Sequence, residues 1–307
     1  MRVLVTGAGG FLGGAIHRHL AARGGIEAIA GIRRPSPRHP HARLLELGDK
    51  AAIAEALRAL RPEVVIHAAG RTKGSPGDFR ADNVAATTNL AQAIGEVSPA
   101  TGLILLSSAA QYGRSLRRSP WRETDACLPI DAYGASKLAA ERAAFHEGAR
   151  LGVRVTALRL FNVISGDAGG DTAFSSFITK AVSAVTDRSP RIVEMSPLGA
   201  IRDFVAVEDF LRVVELAIER GVWAETINVC TGIGRTVREL IEPAVAVIGL
   251  GLTLAAPETP VPLLDWSIGD PSLCSSRLGF APSSDLTPLI GQAAGRVKAA
   301  ALERRNA

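Results

Sequence analysis

The sequence predicts an α/β fold: a doubly wound, mostly parallel sheet with a smaller C-terminal lobe. Three observations carry that prediction. Short β-branched runs alternate with longer amphipathic ones through the first half of the chain. The runs Glu63–Ile66 and Leu103–Leu106 are short and continuous, as in strands buried on both faces. A glycine cluster from Gly7 to Gly13 stands where the first strand hands over to the first helix. Alternation at this spacing implies parallel strands joined by right-handed crossovers, with helices on both sides. Such sheets hold ligands outside the carboxyl ends of their strands.

Arg2–Thr6 reads as a strand, Phe11–Arg23 as a helix and Glu27–Ile32 as a second strand. Lys50–Leu60 is alanine-rich with apolar spacings of three and four, hence helical. Asn83–Val97 and Ala132–Leu151 read as helices, and Val153–Leu158 as the strand that follows. From about Val163 the rhythm changes. Ser165–Thr172 is a Gly- and Asp-rich loop, and Ala173–Val185 a helix. Val205–Arg220 is a helix opened near Glu208 and Asp209, Thr226–Val229 a strand and Val237–Ile248 a helix. Pro257–Pro288 is rich in Pro and Ser. The expected division gives residues 1–163 and 201–232 to the sheet domain, and 164–200 and 233–307 to the lobe.

Of 307 residues, 47% are hydrophobic and 21% charged, which excludes a disordered or fibrous chain. Aromatics are only 5%, so the core must come mostly from Ala, Val, Ile and Leu. Cys127, Cys230 and Cys274 are far apart and odd in number. They offer neither a disulfide framework nor a thiolate zinc site, which suits a reducing, cytoplasmic setting. The longest apolar run, Ala244–Ala256, is too short and too broken by Gly249 and Gly251 to span a bilayer. The start of the chain has no signal-peptide layout. The net charge of +5 comes from scattered arginines, densest at Arg114, Arg117, Arg118 and Arg122. Without a basic stripe or stacking aromatics, this argues against a nucleic-acid groove and leaves a mild attraction to anionic ligands. No metal site is expected. His17 and His19 face different ways on one helix, and His39 and His41 stand in a Pro-rich loop without acids.

The turn Thr6-Gly7-Ala8-Gly9-Gly10-Phe11-Leu12-Gly13 is built for phosphate. Gly7 permits a tight turn, Gly10 leaves the backbone open to a pyrophosphate, and Gly13 lets the helix approach the sheet. The N–H groups at the helix start, from Phe11 and Leu12 on, then face the anion. The second strand ends in Gly31-Ile32-Arg33-Arg34. An acidic residue there would hold a ribose 2′-hydroxyl, whereas Arg33 and Arg34 suit a 2′-phosphate, favouring NADP(H) over NAD(H). Asp49 is placed to accept from an adenine amino group, to cap the next helix, or both.

Tyr133 and Lys137 stand four apart, on one helix face. A phenol is a poor base at neutral pH. An adjacent ammonium and an oxidised nicotinamide favour the phenolate. Ser107-Ser108 ends the strand Leu103–Leu106 at the sheet's carboxyl edge, where a hydroxyl reaches a substrate oxygen.

The glycine turn, His67-Ala68-Ala69-Gly70, Asn83-Val84, Ser108, Tyr112-Gly113, the Tyr133–Lys137 pair and Arg202-Asp203-Phe204 occur in one order. Together they resemble the extended short-chain dehydrogenase/reductase superfamily, the NAD(P)-dependent epimerase/dehydratase group acting on nucleotide sugars. That resemblance implies a Rossmann domain with a substrate-binding lobe. It implies that Ser108, Tyr133 and Lys137 are catalytic, with Asn83 positioning their helix. Ala68, Ala69 and Gly70 would run along the cofactor, which Tyr133 and Lys137 also touch. Asn162 and Arg202 would hold the substrate's nucleotide diphosphate, beside Ser108. A homodimer through Asn83–Val97 and Ala132–Leu151 is also implied. Ala200–Phe204 and Asn228–Gly234 are especially similar to the GDP-6-deoxy-4-keto-mannose reductases.

Two departures narrow the chemistry. Ala109 and Ala110 follow Ser108, where the 4,6-dehydratases of the group carry an acid–base pair and the epimerase/reductases a cysteine. Methyl groups transfer no protons, so 4,6-dehydration and C5 epimerisation are disfavoured. Asp265–Asp270 holds no basic residue, which shifts the diphosphate onto Arg202 and Lys180. The favoured reading is NADPH-dependent reduction of an NDP-4-keto-6-deoxy sugar. An NAD-dependent NDP-sugar 4-epimerase, a reductase of a non-nucleotide carbonyl compound and a non-enzymatic cofactor sensor are the alternatives.

Overall fold

The computed structural model describes residues 1–37, 39–114, 119–166, 172–186, 191–195, 198–255 and 266–305. Arg117, Arg118, Asp265 and most of the Gly- and Asp-rich loop lie outside them. The first half runs β1 (Arg2–Thr6), α1 (Phe11–Ala21), β2 (Glu27–Ile32), β3 (Arg43–Leu44), α2 (Lys50–Leu60) and β4 (Val64–His67). Next come α3 (Pro76–Phe79), a π-helical turn (Arg80–Ala85), α4 (Ala86–Val97), β5 (Gly102–Ser108) and a 3-10 turn (Ala109–Tyr112). The helix α5 (Ala132–Leu151), β6 (Val155–Leu160) and β7 (Asn162–Ile164) follow. The rest is α6 (Ala173–Thr186), β8 (Ile192–Glu194), β9 (Ile201–Ala206), α7 (Val207–Glu219), β10 (Thr226–Val229), β11 (Gly234–Thr236) and α8 (Val237–Ile248). It closes with β12 (Thr253–Ala255), β13 (Trp266–Ser267), α9 (Ser272–Leu278) and α10 (Thr287–Arg305).

Seven strands form one parallel Rossmann sheet in the order β10-β6-β5-β4-β1-β2-β3. Successive residues of β1 serve opposite faces, as period two requires. Val3 and Val5 pack on Ile16, Leu20 and Phe210 beneath α1 and α7. Leu4 packs on Ile53, Leu57, Leu90 and Ile94 beneath α2 and α4. Each such aliphatic side chain contributes about 1.5–3 kcal/mol by leaving water. A separate apolar core joins Phe174 and Phe177 of α6, Leu240 and Ile241 of α8, and Leu289 and Val297 of α10. Between the two cores runs a smaller sheet in which β9 pairs with β7, β11 and β13.

Helix ends follow local chemistry. Asp49 caps α2 by accepting from Ala51 and Ala52 N–H, and Asp131 caps α5 by accepting from Gly134 N–H at 2.6 Å. Helix α5 stops at Gly152, whose φ of +75° suits a residue without a Cβ.

Several boundaries differ from expectation. Helicity around Asn83 begins at Pro76, because Ser75 and Asp78 form a reciprocal capping box with Pro76 in the first turn. The helix expected from Val205 is preceded by a strand, and Val205 belongs to it. The strand after α5 starts at Val155, two residues late. The Pro- and Ser-rich segment contains β13 and α9. Among the described residues no helix is long and apolar enough to cross a membrane.

Candidate active site

The carboxyl ends of β4, β5 and β6 and the turn after β1 open on a cleft of about 810 Å³. Gly10 to Gly13 and Ala68 to Gly70 line one side of it. Ser108, Tyr133 and Lys137 line its middle, and Asn162 and Arg202 the far side. The sequence thus brought together groups from six separate stretches of chain.

The glycine turn leaves no room for a side chain at its two ends. A Cβ on Gly7 would lie 2.6 Å from Ala69 N, and one on Gly13 2.2 Å from Gly7 O. Gly7, with φ +70°, packs beneath the cleft rather than lining it. Gly10 precedes α1 without any side-chain cap, and the first turn of α1 holds no acid. Its N–H groups therefore keep their attraction for an outside anion. These residues fit the pyrophosphate of a nicotinamide dinucleotide. Arg33 lies in an adjoining hollow of about 340 Å³ with Arg71, Lys73 and Asp82, and pairs with Asp82 at 3.4 Å. Arg34 and Asp49 line neither hollow. Asp49 fills the expected capping role.

Tyr133 and Lys137 sit in the first two turns of α5, and Ser108 ends β5 opposite them. The Ser108 hydroxyl stands close enough to the Tyr133 phenol to favour its ionised form. Burial nevertheless pushes the phenol above its ordinary value. The Lys137 amine does not offset this burial. Lys137 instead directs Nζ to Leu106 O at 2.5 Å. Burial brings the Lys137 ammonium down to about 8, against the opposing charge of Glu141.

Asn83 lies beneath the cleft, in the π turn. Its Oδ1 accepts from Arg71 N–H at 2.7 Å, and its Nδ2 donates to Arg71 O and to Ser136 Oγ. Ser136 Oγ in turn donates to Tyr133 O at 2.7 Å. His67 is buried behind this link. Thr87 Oγ1 donates to Asn83 O at 2.6 Å, so it accepts from His67 Nε2 at 3.0 Å. The other ring nitrogen, Nδ1, then accepts from Thr6 Oγ1 at 2.8 Å. The ring is neutral, and burial pushes its pKa down to about 3.

On the far side, Asn162 Nδ2 donates to Asp203 O at 3.0 Å. Burial pushes the Asp203 carboxylate up, and accepting from Thr231, Gly232 and Gly269 N–H offsets only part of that rise. Lys180 does not join the cleft. Its Nζ donates to Glu194 O at 2.8 Å, because α6 turns that face toward β8. Arg114, Asp131, Trp266 and Ser267 line the cleft without having been singled out for it. Arg114 left a trace in the sequence as one of a basic cluster, and Trp266 and Ser267 as part of the Asp265–Asp270 stretch.

The chain is similar to known proteins. The chain is 28% identical to the dTDP-6-deoxy-L-talose 4-dehydrogenase (NAD(P)(+)) of Kitasatospora kifunensis, over 94% of this chain and 93% of that protein. It is 29% identical to the UDP-glucose 4-epimerase of Azospirillum brasilense, over 92% and 88%. The structure of MoeE5 in complex with UDP-glucuronic acid and NAD superimposes with a TM-score of 0.81 at 27% identity, covering 97% of this chain and 99% of that one. The model of the NAD dependent epimerase/dehydratase family matches residues 3–230. That match runs from the first strand to just past β10 and spans the whole parallel sheet, so the chain belongs to this family of NAD(P)-dependent enzymes.

Proposed function

We propose that this protein reduces the 4-keto group of an NDP-4-keto-6-deoxy sugar, with NADP(H) preferred over NAD(H). The observation that carries the reading is the convergence of Ser108 and Tyr133 in one cleft, with Lys137 buried beside them. The bound dinucleotide supplies the hydride. Tyr133, raised by burial, keeps its proton at neutral pH and is suited to donate it to the carbonyl oxygen as charge develops there. Ser108 Oγ donates a second hydrogen bond to the same oxygen and orients it. Lys137 holds a positive charge near both. Ala109 and Ala110 line the cleft beside Ser108 and offer no second acid–base pair, which supports a single redox step at one carbon. Arg33, beside Arg71 and Lys73, supports recognition of a 2′-phosphate. Asn162 and Arg202 are assigned to the diphosphate, and the lobe of residues 164–200 and 233–307 to the sugar and base.

A 4-epimerase reading is favoured by the relative of that activity and uses the same three side chains. Purified protein incubated with NADPH or NADH and a panel of nucleotide-linked 4-keto-6-deoxy sugars separates the two. Consumption of NADPH with one ketose is expected. Interconversion of C4 isomers of an NDP-sugar without net cofactor consumption would replace the reductase by the epimerase. The homodimer through α4 and α5 belongs to the same proposal and is read by sedimentation.

A further inference from the structure

We propose that Glu141 is a positioning residue: its carboxylate locks the strand end that carries Ser108 onto the helix that carries Tyr133 and Lys137. The inference rests on the catalytic reading above. Glu141 lies four residues beyond Lys137 and eight beyond Tyr133, on the same face of α5. It is 4% exposed. Its Oε2 accepts from Ser107 Oγ at 2.5 Å and from Gln111 Nε2 at 2.8 Å. Those two donors bracket Ser108, Ala109 and Ala110, so pinning both pins the turn between them. Its Oε1 accepts from Arg159 Nη2 of β6 at 2.6 Å. Arg159 also donates to Tyr112 OH, which donates to Asn228 Oδ1 of β10 at 2.7 Å. One carboxylate therefore ties β5, the turn after it and β6 to α5.

The Gln111 amide shows which bond governs. Its Oε1 is buried without a partner among the described residues. Reversing the amide would set that oxygen against the Glu141 carboxylate, so the amide keeps its donor on Glu141 and leaves its acceptor unmet. A pair serving only to neutralise buried Arg159 would need neither Ser107 nor Gln111.

Two variants and two readouts test this. The charged or titratable groups facing Lys137 are Glu141 on its own helix and His67 at the end of β4. Those facing Glu141 are Lys137, Arg159 and, from the segment before α5, Cys127. Ser107→Ala cuts the link to β5 and leaves the ion pair intact. It is expected to lower kcat about tenfold with KM for sugar and cofactor within about twofold, as for a misplaced reacting group. Glu141→Gln removes the charge that opposes desolvation of Lys137. Isotope-labelled lysine Cε resonances, few in a chain with so little lysine, should show Lys137 titrating about one pH unit lower. A Ser107→Ala kcat within about twofold of the parent, or an unmoved Lys137 midpoint, overturns the proposal. Should Glu141→Gln not fold, Ser107→Ala decides alone. Should the parent reduce no nucleotide sugar, the functional reading fails, while the Lys137 titration still decides the role of Glu141.

Discussion

Asn83 Nδ2 lies 2.8 Å from Ser136 Oγ, and that hydroxyl in turn donates a hydrogen bond to Tyr133 O. The asparagine also closes both backbone groups of Arg71 at the cleft wall. One amide thus sets the wall on the cofactor side and the first turn of α5. Asn83→Ala should leave the Arg71 groups and Ser136 without this partner and destabilise the fold by about 1–3 kcal/mol. It should also lower kcat more than it raises KM. Urea denaturation beside steady-state kinetics checks both, and a variant with parental kcat excludes the link.

On the proposed mechanism, Tyr133→Phe removes the proton donor and keeps the ring. Turnover should fall by about 10²–10⁴-fold, the range for loss of a general acid. Cofactor affinity, measured by calorimetry, should change by less than about threefold. Ser108→Ala should retain more activity, because it removes an orienting bond and leaves the acid.

His67 makes stability depend on acid. Its folded pKa near 3 lies below the unfolded value of about 6.5, so only the unfolded chain takes up the proton between them. The stabilisation is complete above about pH 6.5 and is lost progressively as pH falls toward 3. By pH 4 the loss is about 3 kcal/mol. Urea midpoints between pH 4 and 7 should show the slope, and His67→Gln should flatten it.

Glycines at two places should respond in opposite directions to alanine. At Gly13 the new methyl would meet Gly7 O, so Gly13→Ala should destabilise by about 1–3 kcal/mol and weaken dinucleotide binding. Gly291 and Gly295 lie on the exposed side of α10 with nothing within 4 Å of a Cβ. Replacing either by Ala should stabilise by about 0.5–1 kcal/mol through helix propensity alone. Thermal melts of the three variants decide.

Arg33 is half exposed and its ion pair with Asp82 is long, so it is available to a phosphate. Arg33→Ser should raise KM for NADPH about tenfold and leave KM for NADH within about twofold. An equal change in both would remove Arg33 from any role in telling the two apart.

Much of this was legible because its causes are local. A phosphate turn needs glycines at fixed offsets, and a Tyr–Lys pair on one helix face needs a spacing of four. Both are written in consecutive residues. What escaped depends on partners distant in sequence. Glu141 shares the same helical spacing, but Ser107, Gln111 and Arg159 give it meaning only after β5 and β6 pair. Strand β9 hid behind Arg202 and Asp203, since charged residues read poorly as a strand. Asp203 is tolerated inside because three backbone N–H groups meet it there. Lys180 was misjudged because charge says nothing of the direction in which a helix points it. The π turn around Asn83 has no composition signal, as it arises where α3 meets α4.

Strand β9 sends Arg202 to the cleft and the next residue, Asp203, into the interior. Its pairing sets Asn162 beside Phe204 and holds that parity. One inserted or deleted residue in this strand would swap the guanidinium and the carboxylate, planting a cation in the protein and an acid in the cleft. This wall therefore tolerates exchanged side chains more readily than a changed length.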